Sequence, residues 1–149
     1  MRVMVIHEDL GADIVALDPS GGPLLMVMVR AVQGRSPEWA AEYLHRVFAR
    51  LPHLHPKYYL IATLDNLYYF EDPSQAASMP TAVLNSVAVL QPYATRINVK
   101  LGDLYPSAFE SLVTSWIYDM TLGNATAPPQ LQDMRRDLTG APVKLNLAA

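Results

Sequence analysis

The sequence of 149 residues contains no cysteine, which excludes a disulfide framework, a thiolate metal site and a cysteine nucleophile. Charged residues are scarce at 17%, whereas hydrophobic residues reach 51%, so a single domain with a full core is expected over residues 1–149. The net charge of −3 disfavours strong attraction to nucleic acid, although a local basic patch is compatible with it. The low charge content also leaves room for a self-association surface, so we expect a homo-oligomer.

Long apolar segments are missing as well. No run approaches the roughly 20 residues that a membrane helix needs, and the apolar residues after Arg2 are too few for a signal peptide. We therefore expect a cytoplasmic protein that has no membrane contact. His53 and His55 are flanked by prolines and have no carboxylate close in sequence, which favours a solvated loop over a zinc site.

An unbroken apolar run over residues 24–29, followed by Arg30, is the most informative feature that is present. A strand exposed on one face alternates polar and apolar residues, so this run predicts a strand buried on both faces. Residues 13–18 predict a preceding strand, and Gly21 and Gly22 supply the turn between the two. We therefore expect Asp13 and Arg30 to lie at the same edge of one sheet, where sites in α/β proteins tend to lie.

A helix and a hairpin are predicted next. Apolar residues recur at helical spacing from Pro37 to Arg50, with Ser36 as the N-cap and Pro52 beyond the end. Residues 58–63 and 67–70 then predict two strands joined by a turn. Four of the eight tyrosines stand in pairs on these strands. Because side chains alternate across a strand, we expect one tyrosine of each pair to face outward, where it would contribute to a dimer interface.

The remaining elements follow from weaker patterns. They are a helix from Thr81 to about Leu90 that ends before Pro92, a short strand over 97–101, a helix from Pro106 to Gly123, helical turns over 131–138 and a strand over 143–147. We expect the segment of about 124–149 to be peripheral. The whole pattern predicts an α/β fold with a mixed central β-sheet flanked by helices.

The arrangement over about residues 10–70 resembles the PD-(D/E)xK nuclease-like family. In that family an Asp begins one strand, and the next strand ends in Glu-x-Lys. Asp13 falls on the first position, whereas Met28 and Arg30 fall on the Glu and Lys positions, and Gln33 resembles a polar residue near the family's site. The resemblance implies a restriction-endonuclease-like core with a catalytic set at Asp13, Met28, Arg30 and Gln33, which in the family binds Mg²⁺.

The departures from the family's motif remove chemistry that the reaction needs. Mg²⁺ prefers hard oxygen ligands, and the thioether of Met28 is soft and uncharged. Arg30 keeps a positive charge that can hold a phosphate, but it cannot lose its proton as a lysine can. We therefore expect a catalytically degenerate protein that acts in binding or assembly and needs no cofactor. In structural terms, Met28 is core packing and Arg30 pairs with Asp13.

Two alternatives stay open. In the first, the chain is a metal-dependent nuclease in which Asp13 and a helix carboxylate, Glu38 or Glu42, hold Mg²⁺ while Arg30 holds the phosphate. The simpler explanation is that Glu38 favours the helix dipole and Glu42 pairs with Arg46 one turn later. In the second, the chain is a structural subunit with no nucleic-acid role, which salt-dependent DNA binding would exclude.

Overall fold

The computed structural model describes residues 3–6, 12–73, 79–125 and 127–146, so the end of the last predicted strand at Leu147 lies outside it. The described strands form one seven-stranded mixed sheet with the order β1-β7-β2-β3-β4-β5-β6. In chain order they are β1 (Val3–Ile6), β2 (Ile14–Leu17), β3 (Pro23–Val29), β4 (Tyr58–Ala62), β5 (Asn66–Glu71), β6 (Ala82–Asn85) and β7 (Val143–Asn146).

Helices cover both faces of the sheet, which confirms the predicted α/β architecture. They are α1 (Pro37–Arg50), α2 (Ser86–Arg96), α3 (Pro106–Thr121) and α4 (Gln132–Leu138), with two short 3₁₀ turns at Leu101–Asp103 and Pro129–Leu131. Helix α1 packs on one face, and α2, α3 and α4 pack on the other. Within the described part of the chain, no helix combines the length and apolarity needed to cross a bilayer.

Strand β3 lies inside the sheet, as its unbroken apolar run predicts. It pairs antiparallel with β2 and parallel with β4, and alternate side chains enter the two cores. Met26 and Met28 pack under α1, while Leu25 and Val27 pack against the opposite helices. Helix α1 begins where predicted, because Ser36 Oγ accepts a hydrogen bond of 3.1 Å from the Trp39 N–H.

The chain between β5 and α3 differs from the prediction. The Thr81 hydroxyl accepts a hydrogen bond of 2.9 Å from the Glu71 N–H, so Thr81 supports the sheet edge and does not cap a helix. The predicted helix start is therefore wrong, and residues Ala82–Asn85 form the edge strand β6. Helix α2 begins one strand later, where Asn85 Oδ1 accepts a hydrogen bond of 3.2 Å from the Ala88 N–H.

Helix α2 also continues through Pro92, which was expected to end it. A proline inside a helix removes one backbone hydrogen bond and costs about 3 kcal/mol. Leu90 and Ala94, on either side of Pro92, are fully buried against the sheet, and this burial offsets the cost. The predicted strand over 97–101 is wrong, because Ile97 caps α2 and residues Leu101–Asp103 form a 3₁₀ turn.

All four paired tyrosines are buried, so the expectation that one of each pair faces outward is wrong. Tyr58 and Tyr69 stack with ring centroids 6.0 Å apart on the face covered by α3 and α4. Tyr59 and Tyr68 lie in the core under α1. The alternation along each strand is present, but helices cover both faces. The expected homo-oligomer thus loses its tyrosine surface and stays a prediction.

The C-terminal segment is part of the sheet, so the expectation of a peripheral segment over about 124–149 is wrong for its described residues. Strand β7 lies between β1 and β2, parallel to the first and antiparallel to the second. Met134 and Leu138 of α4 are fully buried. An alternating strand pattern does not reveal whether the strand lies at an edge or inside a sheet, which is why the sequence placed it wrongly.

Asp137 of α4 forms hydrogen bonds with residues at the start of β4. Its Oδ2 accepts hydrogen bonds from the Tyr58 hydroxyl at 2.6 Å and from Lys57 Nζ at 2.9 Å, and these bonds lower the pKa of Asp137. We expect Asp137→Asn to reduce the free energy of unfolding at pH 7 by about 1–2 kcal/mol in urea titrations. Asp133→Asn on the same helix, 60% exposed, is the matched control and should cost less than about 0.5 kcal/mol.

The pH dependence of this contribution has a definite sign. Because the folded-state pKa of Asp137 is lowered, its stabilisation is fully present above the unfolded pKa of about 4 and is lost as the pH falls through the folded value. The difference between wild type and Asp137→Asn should therefore shrink in urea titrations carried out below about pH 4. A difference that stays constant from neutral to acidic pH would contradict this role of Asp137.

Candidate functional site

The candidate site lies at the edge of the sheet where β2 begins and β3 ends. Asp13 directly precedes β2 and Arg30 directly follows β3, and these strands are antiparallel neighbours. The two residues therefore meet at one edge, as the sequence predicts. The same edge carries the carboxyl end of β4, because β3 and β4 run parallel.

Asp13 completes the backbone hydrogen bonding of β3. Its own N–H donates to the Val27 carbonyl oxygen at 2.8 Å, close to the point where β2 begins. The next N–H of β3 on that side belongs to Val29, which lies beyond the start of β2. Asp13 Oδ2 accepts this N–H at 2.8 Å, so the carboxylate replaces a backbone acceptor that the neighbouring strand does not supply.

Arg30 is held by three acceptors. Its Nη1 lies 2.8 Å from the Val29 carbonyl oxygen and 3.3 Å from Asp13 Oδ2, and its Nη2 donates to the Tyr43 hydroxyl at 2.8 Å. The ion pair that the sequence predicts between Asp13 and Arg30 is therefore present. The side chains are 21% and 41% exposed, so solvent screens the pair, and its contribution to stability is about 1 kcal/mol or less.

Met28, which the sequence aligns with the Glu of the resembled motif, points into the core under α1. It is 5% exposed and shares that core with Val47 and Phe48 of α1. Arg30, two residues later, reaches Tyr43 on the same helix, so the two side chains share a face as strand alternation predicts. The position at which a second carboxylate would stand is therefore enclosed and apolar.

Glu110 of α3 interacts electrostatically with the charges of this site, which sequence reasoning missed. It is half-buried, and burial is the largest cause of its raised pKa. The Asp13 carboxylate raises this pKa further, whereas Arg30 lowers it, so the three charges act on one another. A glutamate among the apolar residues of the first half of α3 was the available signal, but nothing local linked it to Asp13.

The other sequence candidates lie apart from the Asp13–Arg30 pair. Gln33 is exposed beside the 3₁₀ turn, where its Nε2 would be 3.5 Å from a Cβ placed on Gly102. Glu38 and Glu42 are exposed on α1, whereas the inward-facing Tyr43 is the residue that reaches Arg30. Among the side chains that the structure describes, no group of three or more His, Asp or Glu is arranged to hold a metal ion.

The chain matches no protein-family model. Searches of the curated proteins and of the solved structures also give no match.

A positively charged surface adjoins the site along α1. It contains four of the 11 Lys and Arg residues of the chain, and we name it the arginine face: Arg30, Arg35, Arg46 and Arg50. Arg46 Cζ lies 5.6 Å from the centroid of the Tyr43 ring. Arg46 and Arg50 also line a cavity of about 440 Å³ along the helix. Arg30 is paired with Asp13, whereas Arg35, Arg46 and Arg50 are exposed.

Proposed function

We propose that this chain is a PD-(D/E)xK nuclease-like domain that has lost its metal chemistry and acts by binding. The observation that carries the proposal is the ion pair between Asp13 and Arg30 where the family holds a divalent cation. The order of elements supports it as well. A hairpin of β2 and β3, then α1, then β4 and β5 follow one another as the resemblance implies.

The donors around Asp13 explain why the site disfavours a divalent metal. Mg²⁺ needs several oxygen ligands in near-octahedral geometry. Asp13 Oδ2 already accepts the Val29 N–H and faces the Arg30 guanidinium, and Met28 offers no charge. A cation entering here would have to displace a guanidinium that Tyr43 and the Val29 carbonyl oxygen hold in place. The arrangement therefore favours an anion over a metal ion.

Metal titration tests the loss of metal chemistry. Calorimetry should show no binding of Mg²⁺ or Mn²⁺ to wild type and binding of one ion to the Met28→Glu, Arg30→Lys double variant. Adding Asp13→Asn to the double variant should abolish that binding, because it removes one of the two carboxylates. Mn²⁺ binding by wild type, together with DNA cleavage that Asp13→Asn abolishes, would refute the proposal.

The arginine face fits the phosphates of a nucleic acid. Guanidinium groups bind phosphate oxygens through a planar fork, and each neutralised phosphate adds about 0.7–0.9 to the salt slope of log K. We therefore expect weak, sequence-independent binding whose slope falls by about 1.5 in the Arg35→Gln, Arg46→Gln double variant. Lys100→Gln, an exposed cation beyond the end of α2, is the control and should leave the slope unchanged. A chain that binds no DNA even at low salt would instead be the structural subunit.

A catalytically active nuclease is the second candidate function. The electrostatic interaction of Glu110 with Asp13 is the observation in its favour. The electrostatic interaction between Glu110 and Asp13 favours Glu110 over the exposed Glu38 and Glu42 as the helix carboxylate of such a nuclease. This candidate predicts Mn²⁺ binding by wild type that is lost in both Asp13→Asn and Glu110→Gln. Glu38→Gln is the matched control and should leave that binding intact, since Glu38 is exposed in the first turn of α1.

A further inference from the structure

A second site candidate is a groove of about 350 Å³ between α2 and α3, across the sheet from the arginine face. Small residues on α3 keep it open. Ala108, Ser111 and Ser115 are spaced three and four residues apart, so they share one face of the helix with Leu112. Leu112 is 6% exposed, whereas Ser111 and Ser115 reach solvent. The groove therefore has an apolar floor below two hydroxyl groups.

The wall that α2 contributes is more apolar than an ordinary helix surface. Tyr93 and Ile97 line it, and Ile97 is 59% exposed. A single exposed isoleucine needs no explanation on a convex surface. Here it stands in a concavity together with Leu112 and the Tyr93 ring. Concave, mostly apolar surfaces with a few polar groups are the usual form of small-molecule sites.

Arg96 is the positively charged residue among those that line the groove. Arg96 Cζ lies 4.6 Å from the centroid of the Tyr93 ring, and Arg96 Nη1 lies 3.8 Å from Asp119 Oδ2. The Tyr93 hydroxyl donates to the same Asp119 oxygen at 2.8 Å, so Tyr93 and Asp119 together position the guanidinium. A separation of 3.8 Å is an ion pair without a hydrogen bond, so Asp119 does not take up this Arg96 N–H. The guanidinium fork thus stays available for a carboxylate.

We propose that this groove binds a small monocarboxylate, with its apolar body against Leu112 and Ile97 and its carboxylate on Arg96. The groove has a volume of about 350 Å³, at the small end of the range for small-molecule sites. A medium-chain carboxylate such as decanoate fits this size. The Ser111 hydroxyl supplies a further hydrogen-bond donor on the α3 side, whereas the Ser115 hydroxyl donates to the Ser111 carbonyl oxygen at 3.0 Å. A ligand with an ammonium group in place of the carboxylate would be repelled by the positive charge of Arg96.

The test is calorimetric titration of the full chain with decanoate and, for comparison, with decylammonium. Decanoate should bind with a Kd on the order of 0.1–1 mM, as expected for so small a ligand in an open groove. Arg96→Gln should weaken decanoate binding about tenfold, the loss expected for a charge-assisted hydrogen bond. Lys100→Gln removes an equal charge from an exposed residue that does not line the groove, and it is the control, for which no change is expected.

A second variant separates ligand binding from charge. Ser111→Phe places a ring in the groove and should abolish decanoate binding, while amide NMR spectra show that the fold is kept. The proposal is overturned if decanoate does not bind, if Arg96→Gln binds it as well as wild type, or if decylammonium binds equally. Because neither Asp13 nor Arg30 lines the groove, none of these outcomes depends on the proposed function.

Discussion

Met28→Glu is expected to reduce the free energy of unfolding by about 3–5 kcal/mol at neutral pH, because it buries a carboxylate without a partner. Met28 is 5% exposed and is enclosed by Val47, Phe48 and other apolar residues under α1. Met28→Gln has nearly the same shape without the charge, so it should cost clearly less. Urea unfolding of the two variants at pH 7 measures the difference.

The charge at position 28 also gives this variant a characteristic pH and metal dependence. Burial raises the folded-state pKa of an acid, so the penalty should be full at neutral pH and shrink as the pH falls towards about 4. In the double variant with Arg30→Lys, Mn²⁺ at about 100 times its Kd should restore about 2.7 kcal/mol. If Met28→Glu unfolds at the wild-type midpoint without metal, the side chain of residue 28 is not enclosed, and our account of the site is wrong.

Val143→Asp is expected to unfold the chain or to cost at least about 4 kcal/mol. Val143 is fully buried on β7, which lies inside the sheet between β1 and β2. A carboxylate there would have neither water nor a partner on the core face. Circular dichroism at 25 °C should show either loss of the folded signal or a strongly lowered thermal midpoint.

The neighbouring residue supplies the control for this experiment. Lys144 lies on the same strand but is only half-buried, so Lys144→Gln should cost less than about 1 kcal/mol. If the two substitutions reduce the stability equally, the cause would be a disturbance of the strand backbone and not the burial of a charge. A mild effect of Val143→Asp would mean that the C-terminal segment is peripheral after all, as its sequence pattern suggested.

The features that the sequence predicted correctly are those decided by local pattern. The unbroken apolar run identified β3 as a strand buried on both faces, and its junction with Arg30 located the site edge. Ser36 and Pro37 marked the start of α1 through capping chemistry that acts within one turn. The pairing of Asp13 with Arg30 followed because a short hairpin connects their strands.

The features that it missed depend on contacts between distant parts of the chain. Glu110 interacts with Asp13 only because α3 packs against β3, which no local pattern encodes. The tyrosines of β4 and β5 are buried because helices from both halves of the chain cover the sheet. Pro92 is tolerated within α2 because of tertiary burial on either side of it, and this overrides its local preference.

The position of β7 has a consequence for how the protein is made. Among the described strands, β1 has β7 as its sole neighbour, although the two stand at opposite ends of the chain. A ribosome delivers β1 before β2 to β5 and α1, and the later elements can assemble as they emerge. The apolar strand β1 can pair with β7 only after residues 143–146 have been translated. Because closing so long a loop is slow, the pairing of β1 with β7 is expected to be a late step of folding.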